Sequence, residues 1–129
     1  NLTRLELTVD GCSGWTLLAN LLANSPTLED LVFVEGLVQP FHFKLGVFRY
    51  WSPPEHVPSC LLLHLKAIEI RNFRGLAEEL NLVRYLLRNA KVLMNMSIDC
   101  SFLKEDVKIQ KKLLRLPRGS TSCQLYLIF

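Results

Sequence analysis

Leu2-Thr3-Arg4-Leu5-Glu6-Leu7 opens the chain with leucines at the first, fourth and sixth positions of the stretch. Later stretches repeat this spacing with the same or similar apolar residues: Leu28-Leu31-Phe33, Leu65-Ile68-Ile70 and Leu93-Met96-Ile98. Repeats at intervals of roughly 20 to 50 residues are typical of stacked folds, and Leu-x-x-Leu-x-Leu is the phrase of leucine-rich solenoids. The four copies therefore predict a stack of similar units.

Each copy is predicted to be a short β-strand. Its last two apolar residues lie two positions apart, so they share one face of a strand, and the residues beside them point to the opposite face. That opposite face is mixed in charge and mostly polar, which makes it a candidate surface for a protein partner. Its predicted residues are Arg4, Glu6, Thr8, Asp30, Val32, Val34, Ala67, Glu69, Arg71, Asn95, Ser97 and Asp99.

The intervals between the copies are unequal. The copies begin at residues 2, 28, 65 and 93. The first and third intervals suit a repeat unit that consists of one strand and one helix. The middle interval is longer, and we interpret the excess as an insertion that begins near residue 34.

Two of the intervals carry helical periodicity. Residues 15–24 place four leucines along one helical stripe, and Pro26 follows where the helix is expected to end. Residues 76–92 give a stronger prediction, because apolar residues line one face of the predicted helix. Glu78 and Glu79 come early in it and basic residues come late, which matches the helix dipole.

The carboxyl-terminal part continues the alternation. Residues 103–116 are predicted to be a helix with Glu105 and Asp106 in its first turn, and Pro117 follows it. Residues 124–129 are a predicted final strand, rich in apolar side chains.

Strands and helices in alternation imply parallel strands joined by crossovers. The predicted fold is therefore α/β: a leucine-rich-repeat-like solenoid with parallel strands on its concave face and helices outside. Residues 103–129 are predicted to be a helix–strand cap, because an open solenoid end would expose apolar side chains.

Composition argues against two classes of partner. The chain has 129 residues and a formal net charge of +3, with both signs interspersed. A nucleic-acid-binding surface concentrates basic residues in a patch or stripe, and a membrane span needs roughly 20 apolar residues in succession. We therefore expect neither a nucleic-acid nor a membrane partner. Since the chain begins with Asn1 rather than Met, we also expect a fragment of a longer protein.

The four cysteines are Cys12, Cys60, Cys100 and Cys123, and none forms a Cys-x-x-Cys pair. Charged residues interrupt the first ten positions, so the opening stretch does not resemble a secretory signal. We interpret the cysteines as reduced, small apolar residues of an intracellular protein, in the cytoplasm or the nucleus.

One histidine–cysteine pattern leaves alternatives open. His56, Cys60 and His64 are spaced four residues apart, which on a helix would supply zinc ligands or a thiol–imidazole pair. Pro58 opposes a helix through the first two of them. The alternative interpretation is a buried structural Cys60 with the two histidines at the surface.

Other positions also allow two interpretations. Trp51, beside Tyr50 and three prolines, fits either a groove for a partner peptide or a plug over the core. Arg118 fits a side chain that caps the carbonyls of the preceding helix. The basic residues of the third predicted helix fit either an acidic partner or a solvated helix face; they are Lys108, Lys111, Lys112 and Arg115.

The order of several motifs resembles a known family. Trp51 and Pro54 precede Val57-Pro58-Ser59-Cys60-Leu61 and Leu65-Lys66-Ala67-Ile68-Glu69-Ile70. Downstream segments continue the same order: Phe73-Arg74-Gly75, Glu78-Glu79-Leu80, Tyr85-Leu86-Leu87 and Pro117-Arg118-Gly119-Ser120, with Cys123 after them. Together these motifs resemble the FBD domain of plant F-box/LRR proteins.

The resemblance implies a division of the chain near residue 51. Residues 1–50 are interpreted as leucine-rich repeat units with the insertion, and residues 51–129 as an FBD domain that continues and caps the solenoid. The family-motif positions, for which the resemblance implies a structural role, are Trp51, Pro54, Pro58, Cys60, Arg118, Ser120 and Cys123.

The resemblance also implies a function. Members of this family are substrate-receptor subunits of SCF-type ubiquitin ligases, so the chain is expected to be a recognition scaffold with no catalytic residue, metal or cofactor. Its expected partner is a protein substrate; the ligase adaptor would be contacted only through an F-box absent from this chain. Competing hypotheses are a leucine-rich module of a plant protein without an F-box and a small hydrolase that uses Cys60 with a histidine.

Overall fold

The structure is a computed structural model that describes residues 2–8, 14–34 and 54–129. Residues 35–53, which include much of the predicted insertion and Trp51, lie outside the described residues, as does Cys12. None of the described helices is long and apolar enough to span a membrane.

The described strands form one five-stranded parallel sheet in the order of the chain. The strands are β1 (Arg4–Leu7), β2 (Asp30–Phe33), β3 (Ala67–Ile70), β4 (Asn95–Asp99) and β5 (Gln124–Ile128). The first four coincide with the four repeated phrases, and the fifth with the predicted final strand. The prediction of parallel strands with helical crossovers is confirmed.

The register aligns the same position of every copy. Two rows of apolar side chains run across the sheet on one face. The rows are Leu5, Leu31, Ile68, Met96 and Leu125, and Leu7, Phe33, Ile70, Ile98 and Leu127. Between β2 and β4 both rows are fully buried, and they share one core with apolar side chains of the helices. The sheet therefore has one covered face and one more exposed face.

Backbone hydrogen bonds repeat at equivalent positions in successive copies. The carbonyl oxygen of Thr3 accepts from the N–H groups of Glu29 and Asp30, at 2.7 and 2.9 Å. The carbonyl of Glu29 accepts in the same way from Lys66 and Ala67, and that of Lys66 from Met94 and Asn95. In each case the acceptor is the residue that follows the first leucine of its copy. The donors are the two residues that follow the first leucine of the next copy. The repeated phrase thus produces a repeated backbone contact.

Four α-helices lie in the described residues: α1 (Gly14–Ala23), α2 (Ser59–Leu63), α3 (Ala77–Asn89) and α4 (Val107–Leu114), with a 3-10 turn at Ser101–Leu103. The predicted helix at 15–24 is confirmed as α1. The predicted helix at 76–92 is confirmed as α3, but it ends earlier, because the chain leaves helical geometry at Ala90.

The third predicted helix begins later than expected. Asp106 and Glu105 were expected inside its first turn, but Asp106 is the N-cap of α4 and its carboxylate accepts the N–H of Ile109 at 3.1 Å. A capping side chain stabilises a helix end by satisfying a donor that has no partner within the helix. Residue 103 instead ends the preceding 3-10 turn.

Helix α2 was not predicted. Pro58 was expected to oppose a helix through His56 and Cys60, and Ser59–Leu63 forms a short helix that begins only after Pro58. Pro58 lies just before its first turn, where a proline costs no helical hydrogen bond. Cys60 and Leu61 of this helix are fully buried in the core.

The start of α3 depends on a buried carboxyl group. Glu79, predicted to lie early in this helix, is 0% exposed. Its carboxylate accepts the N–H groups of Leu76 and Arg74, both within 3.1 Å, and so holds the loop before the helix. Burial raises the pKa of Glu79 to about 7, although these backbone hydrogen bonds and the charge of Arg74 oppose the rise.

The raised pKa of Glu79 predicts a pH-dependent stability. A carboxyl whose pKa rises from 4.5 when unfolded to about 7 when folded binds its proton more tightly in the folded state. Its contribution is complete below pH 4.5 and is lost as the pH rises through about 7. The free energy of unfolding should fall by about 3 kcal/mol over that range.

Urea denaturation at a series of pH values, on wild type and on Glu79→Gln, measures this contribution. The glutamine keeps an acceptor oxygen for Leu76 but cannot ionise, so the slope should flatten. Glu105→Gln, at an exposed site, is the matched control and should leave the slope unchanged. An unchanged slope in Glu79→Gln would contradict the assignment.

Candidate functional site

Eight of the residues predicted to point outward lie on the face of the sheet opposite the two apolar rows. We call this side the open face and define it by Arg4, Glu6, Asp30, Val32, Ala67, Glu69, Asn95 and Ser97. The register places them in two adjacent rows, with Arg4, Asp30, Ala67 and Asn95 in one and Glu6, Val32, Glu69 and Ser97 in the other. Parallel pairing, rather than any local contact, assembles this surface from distant parts of the chain.

A shallow depression of about 110 Å³ lies on the open face. Its polar lining comes from four strands and includes Arg4, Asp30, Glu69, Asn95 and Ser97. One guanidinium and two carboxylates therefore surround a floor of backbone and small side chains. Such a lining offers both hydrogen-bond donors and acceptors to a polypeptide, whereas the two carboxylates would repel a polyanion.

Ion pairs within single strands hold the charged side chains of the open face. The Arg4 guanidinium lies 3.0 Å from the Glu6 carboxylate, and that of Arg71 lies 2.6 Å from Glu69. All four side chains are 42–57% exposed. Exposed pairs of this kind contribute about 0 to 1 kcal/mol to stability, so they orient the side chains without removing them from reach of a partner.

Three of the predicted residues are less available than expected. Val32 belongs to the open face by register, but it is only 3% exposed. Val34 is half-buried, whereas Thr8 is exposed beyond the end of β1. The Asp99 carboxylate already accepts the N–H groups of Asn72 and Ser101, at 3.3 and 3.0 Å. Burial alone would raise the pKa of Asp99, but these hydrogen bonds outweigh it and lower the pKa below its usual value.

Cys60 is buried and its thiol faces the neighbouring helix. Its side chain is 0% exposed, and the Sγ–H donates to the carbonyl of Leu22 in α1 at 3.5 Å. Burial raises the pKa of the Cys60 thiol above its usual value, which disfavours the thiolate. His56 and His64 are exposed. In the described part of the chain no three His, Cys, Asp or Glu side chains form a group that could hold a metal ion.

The other described family-motif residues join neighbouring units behind the open face. Pro54 packs beside α1 and α3, near Leu22 and Leu86. The Ser120 hydroxyl is buried and donates to the carbonyl of Leu93 at 2.6 Å. Cys123, also buried, is a free thiol like Cys60 and Cys100. Ser120 thus links the turn before β5 to the segment before β4.

Arg118 does not have the partner predicted from the sequence. We expected it to cap carbonyls of α4, but its guanidinium donates to the carbonyl of Cys123 at 3.0 Å. It therefore closes the turn that leads into β5. The motif carries no local signal for this partner, because a proline–glycine turn can direct an arginine toward either side.

Gly119 makes the closest contact between the turn and α3. Its N–H donates to the carbonyl of Leu87 at 2.8 Å, which satisfies one of the last carbonyls of the helix. A Cβ at this position would lie 2.1 Å from the carbonyl oxygen of Arg88. This oxygen belongs to the backbone and cannot move aside as the end of a flexible side chain could, so only glycine fits at this position.

Sequence reasoning missed one exposed feature near the 3-10 turn. The Arg74 guanidinium lies 4.5 Å from the centre of the Phe102 ring, and Phe102 is 56% exposed. A wide hollow of about 690 Å³ runs along residues 101–108, away from the open face. No periodic pattern marks these residues, and Arg74 reaches Phe102 only through folding.

Gly119→Ala should destabilise the protein by about 3 kcal/mol, because the added methyl group collides with the Arg88 carbonyl and displaces the Leu87 hydrogen bond. Thermal unfolding followed by circular dichroism measures the effect. Thr121→Ala, at an exposed site in the same turn, should change the melting temperature little. Equal melting temperatures for Gly119→Ala and wild type would show that the turn moves away from α3 without cost.

Comparisons with known proteins agree with the motif pattern. The family model for the FBD domain matches residues 53–98. An Arabidopsis thaliana F-box/FBD/LRR-repeat protein is 32% identical over 131 residues, which cover 99% of this chain and 30% of that protein. A putative FBD-associated F-box protein of Arabidopsis thaliana is 33% identical over 131 residues, covering 98% of this chain and 31% of that protein.

The chain spans about 30% of the length of these relatives. No solved structure matches the chain significantly. The matched residues 53–98 contain α2, β3, α3 and all but the last residue of β4. The motif, the matching family model and the relatives along nearly the whole chain therefore agree. The chain therefore belongs to the family of FBD-domain proteins.

Proposed function

We propose that the chain is the substrate-binding part of an F-box protein in an SCF-type ubiquitin ligase, and that it binds its protein substrate through the open face. The observation that carries the proposal is the register, which aligns residues from four separate copies of the repeat into one mostly polar surface. Similar relatives are named as F-box proteins, which supports the ligase part of the proposal.

The architecture we propose behind this face is a leucine-rich-repeat-like solenoid. The chain-order sheet, the stacked rows of apolar residues and the repeated backbone contacts support it. In a solenoid each unit contacts mainly its neighbours. The open face would then be concave, with α4 and β5 as the cap, and residues 1–50 and 51–129 would be the repeat part and the FBD part.

Charge reversal on the open face tests the proposal. We expect the triple variant Asp30→Lys, Glu69→Lys and Arg71→Glu to abolish capture of the substrate, because the partner would meet reversed charges. Positions 69 and 71 can still form an ion pair in this variant. Wild type and variant are each isolated as full-length protein from plant tissue. Mass spectrometry then identifies the proteins that copurify with each. The ligase adaptor and cullin should be recovered with wild type and variant alike.

The matched control reverses charges on α4 instead, as Lys108→Glu, Lys111→Glu and Lys112→Glu, all at exposed positions. These changes should leave capture of the substrate through the open face unchanged. Loss of substrate in the control and not in the open-face variant would contradict the proposed site. Absence of ligase subunits with wild type would contradict the F-box assignment and favour a leucine-rich module of another kind.

We also predict no catalytic activity, and the state of Cys60 gives a test against the hydrolase hypothesis. A buried thiol with a raised pKa reacts slowly with iodoacetamide, whereas a catalytic thiolate reacts rapidly. Labelling of Cys60 in the native protein should therefore be at least about a hundredfold slower than in the urea-unfolded protein. Rapid native labelling of Cys60 would restore the hydrolase hypothesis.

A further inference from the structure

Strand β5 is an edge of the sheet. Within the described residues it pairs with β4 on one side and with no strand on the other. On the paired side, Gln124 donates its N–H to the carbonyl of Met94 at 2.9 Å, and Ile128 accepts the N–H of Cys100 at 2.6 Å. These two bonds fix which backbone groups of β5 face β4.

The remaining backbone groups of β5 face outward. In a parallel ladder a residue directs its N–H and its C=O to the same neighbouring strand, and the next residue directs both to the other side. Because Gln124 and Ile128 face β4, Leu125 and Leu127 direct their donors and acceptors away from it. This edge therefore presents a short ladder of free backbone groups.

The side chains of β5 do not protect this edge. Native edge strands are commonly guarded by lysine, proline, inward charges or bulges. Residues 119–129 contain no charged side chain, and Gln124–Ile128 contains no proline. Tyr126 and Ile128 are 50% and 53% exposed on one face, and Leu125 and Leu127 are partly buried on the other. The opposite edge strand, β1, does carry charges, at Arg4 and Glu6.

The chain before β5 is basic. Residues 104–118 contain six lysines and arginines against one glutamate and one aspartate. Arg118 lies closest to the strand, since its exposed guanidinium is held at the carbonyl of Cys123. A second copy of the chain would bring the same basic segment to the edge and be repelled. A segment with acidic residues beside an apolar stretch would be attracted.

We propose that the free edge of β5 binds an extended segment of a partner protein as a sixth strand. The geometry calls for a segment with apolar residues at alternate positions, which continue the rows of Leu125 and Leu127, and with acidic residues at one end. Main-chain hydrogen bonds would supply affinity and the alternate side chains selectivity. This goes beyond the proposed substrate site, since the charge reversals on β2 and β3 leave the edge intact.

A fluorescein-labelled synthetic peptide tests the edge. It consists of three aspartates followed by alternating valine and threonine, and its binding to the chain is measured by fluorescence anisotropy. Two derivatives are N-methylated on alternate amides, one on the odd and one on the even positions. Only one set of amides can face β5, so one derivative should bind roughly tenfold or more weakly than the other.

Variants of the chain complete the test. Leu127→Pro removes an outward donor and should weaken binding of the parent peptide roughly tenfold, while Leu127→Val keeps the donor and should bind as wild type does. A peptide with lysines in place of the aspartates should also bind more weakly. Circular dichroism establishes that Leu127→Pro is folded; if it is not, the two N-methylated peptides still decide the question.

Three outcomes would overturn the inference. The first is the absence of saturable binding of the parent peptide. The second is equal binding of the two N-methylated derivatives, which would indicate nonspecific apolar contact. The third is a dimer, detected by sedimentation velocity, that Leu127→Pro dissociates and the peptide does not, because a second copy would then occupy the edge.

Discussion

The parallel register is the constraint on which the rest of this structure depends. Side chains of a strand alternate with a period of two, so a slip by one residue would bury Glu6 and Glu69 and expose Leu31 and Ile68. The repeated carbonyl contacts from Thr3 to Lys66 prevent that slip, because each joins equivalent positions of neighbouring copies. One set of backbone bonds therefore creates both the buried core and the open face.

The FBD motif contributes to the same constraint from behind the sheet. Short strands of four or five residues cannot by themselves fix the spacing of units. Cys60 of α2 hydrogen-bonds to α1, and Gly119, in the turn before β5, hydrogen-bonds to α3. Ser120 donates to the carbonyl of Leu93 just before β4. Each of these contacts joins neighbouring copies of the repeat, so three of the residues that carry the family resemblance also connect successive copies.

The strands were predictable from the sequence because the repeated phrase encodes them locally, and α1 and α3 were predictable from their apolar stripes. The errors have a common physical origin. The extra helix at Ser59–Leu63 and the partner of Arg118 depend on contacts that periodicity cannot encode. The burial of Glu79, for which the sequence made no prediction, depends on such contacts too. The membership of the open face was predictable, but the burial of Val32 and the engagement of Asp99 were not, since both result from tertiary packing.

The polar groups of the molecule divide into two kinds, and the division bears on function. Glu79, Ser120 and Asp99 have their acceptors or donors satisfied by backbone groups of neighbouring loops, so they hold the structure. Arg4, Asp30 and Glu69 surround a depression and remain partly exposed. Burying such groups against a partner costs free energy unless the partner supplies hydrogen bonds of matching geometry. A surface built this way favours a partner that supplies such hydrogen bonds over one that does not, which suits the proposed role in protein recognition.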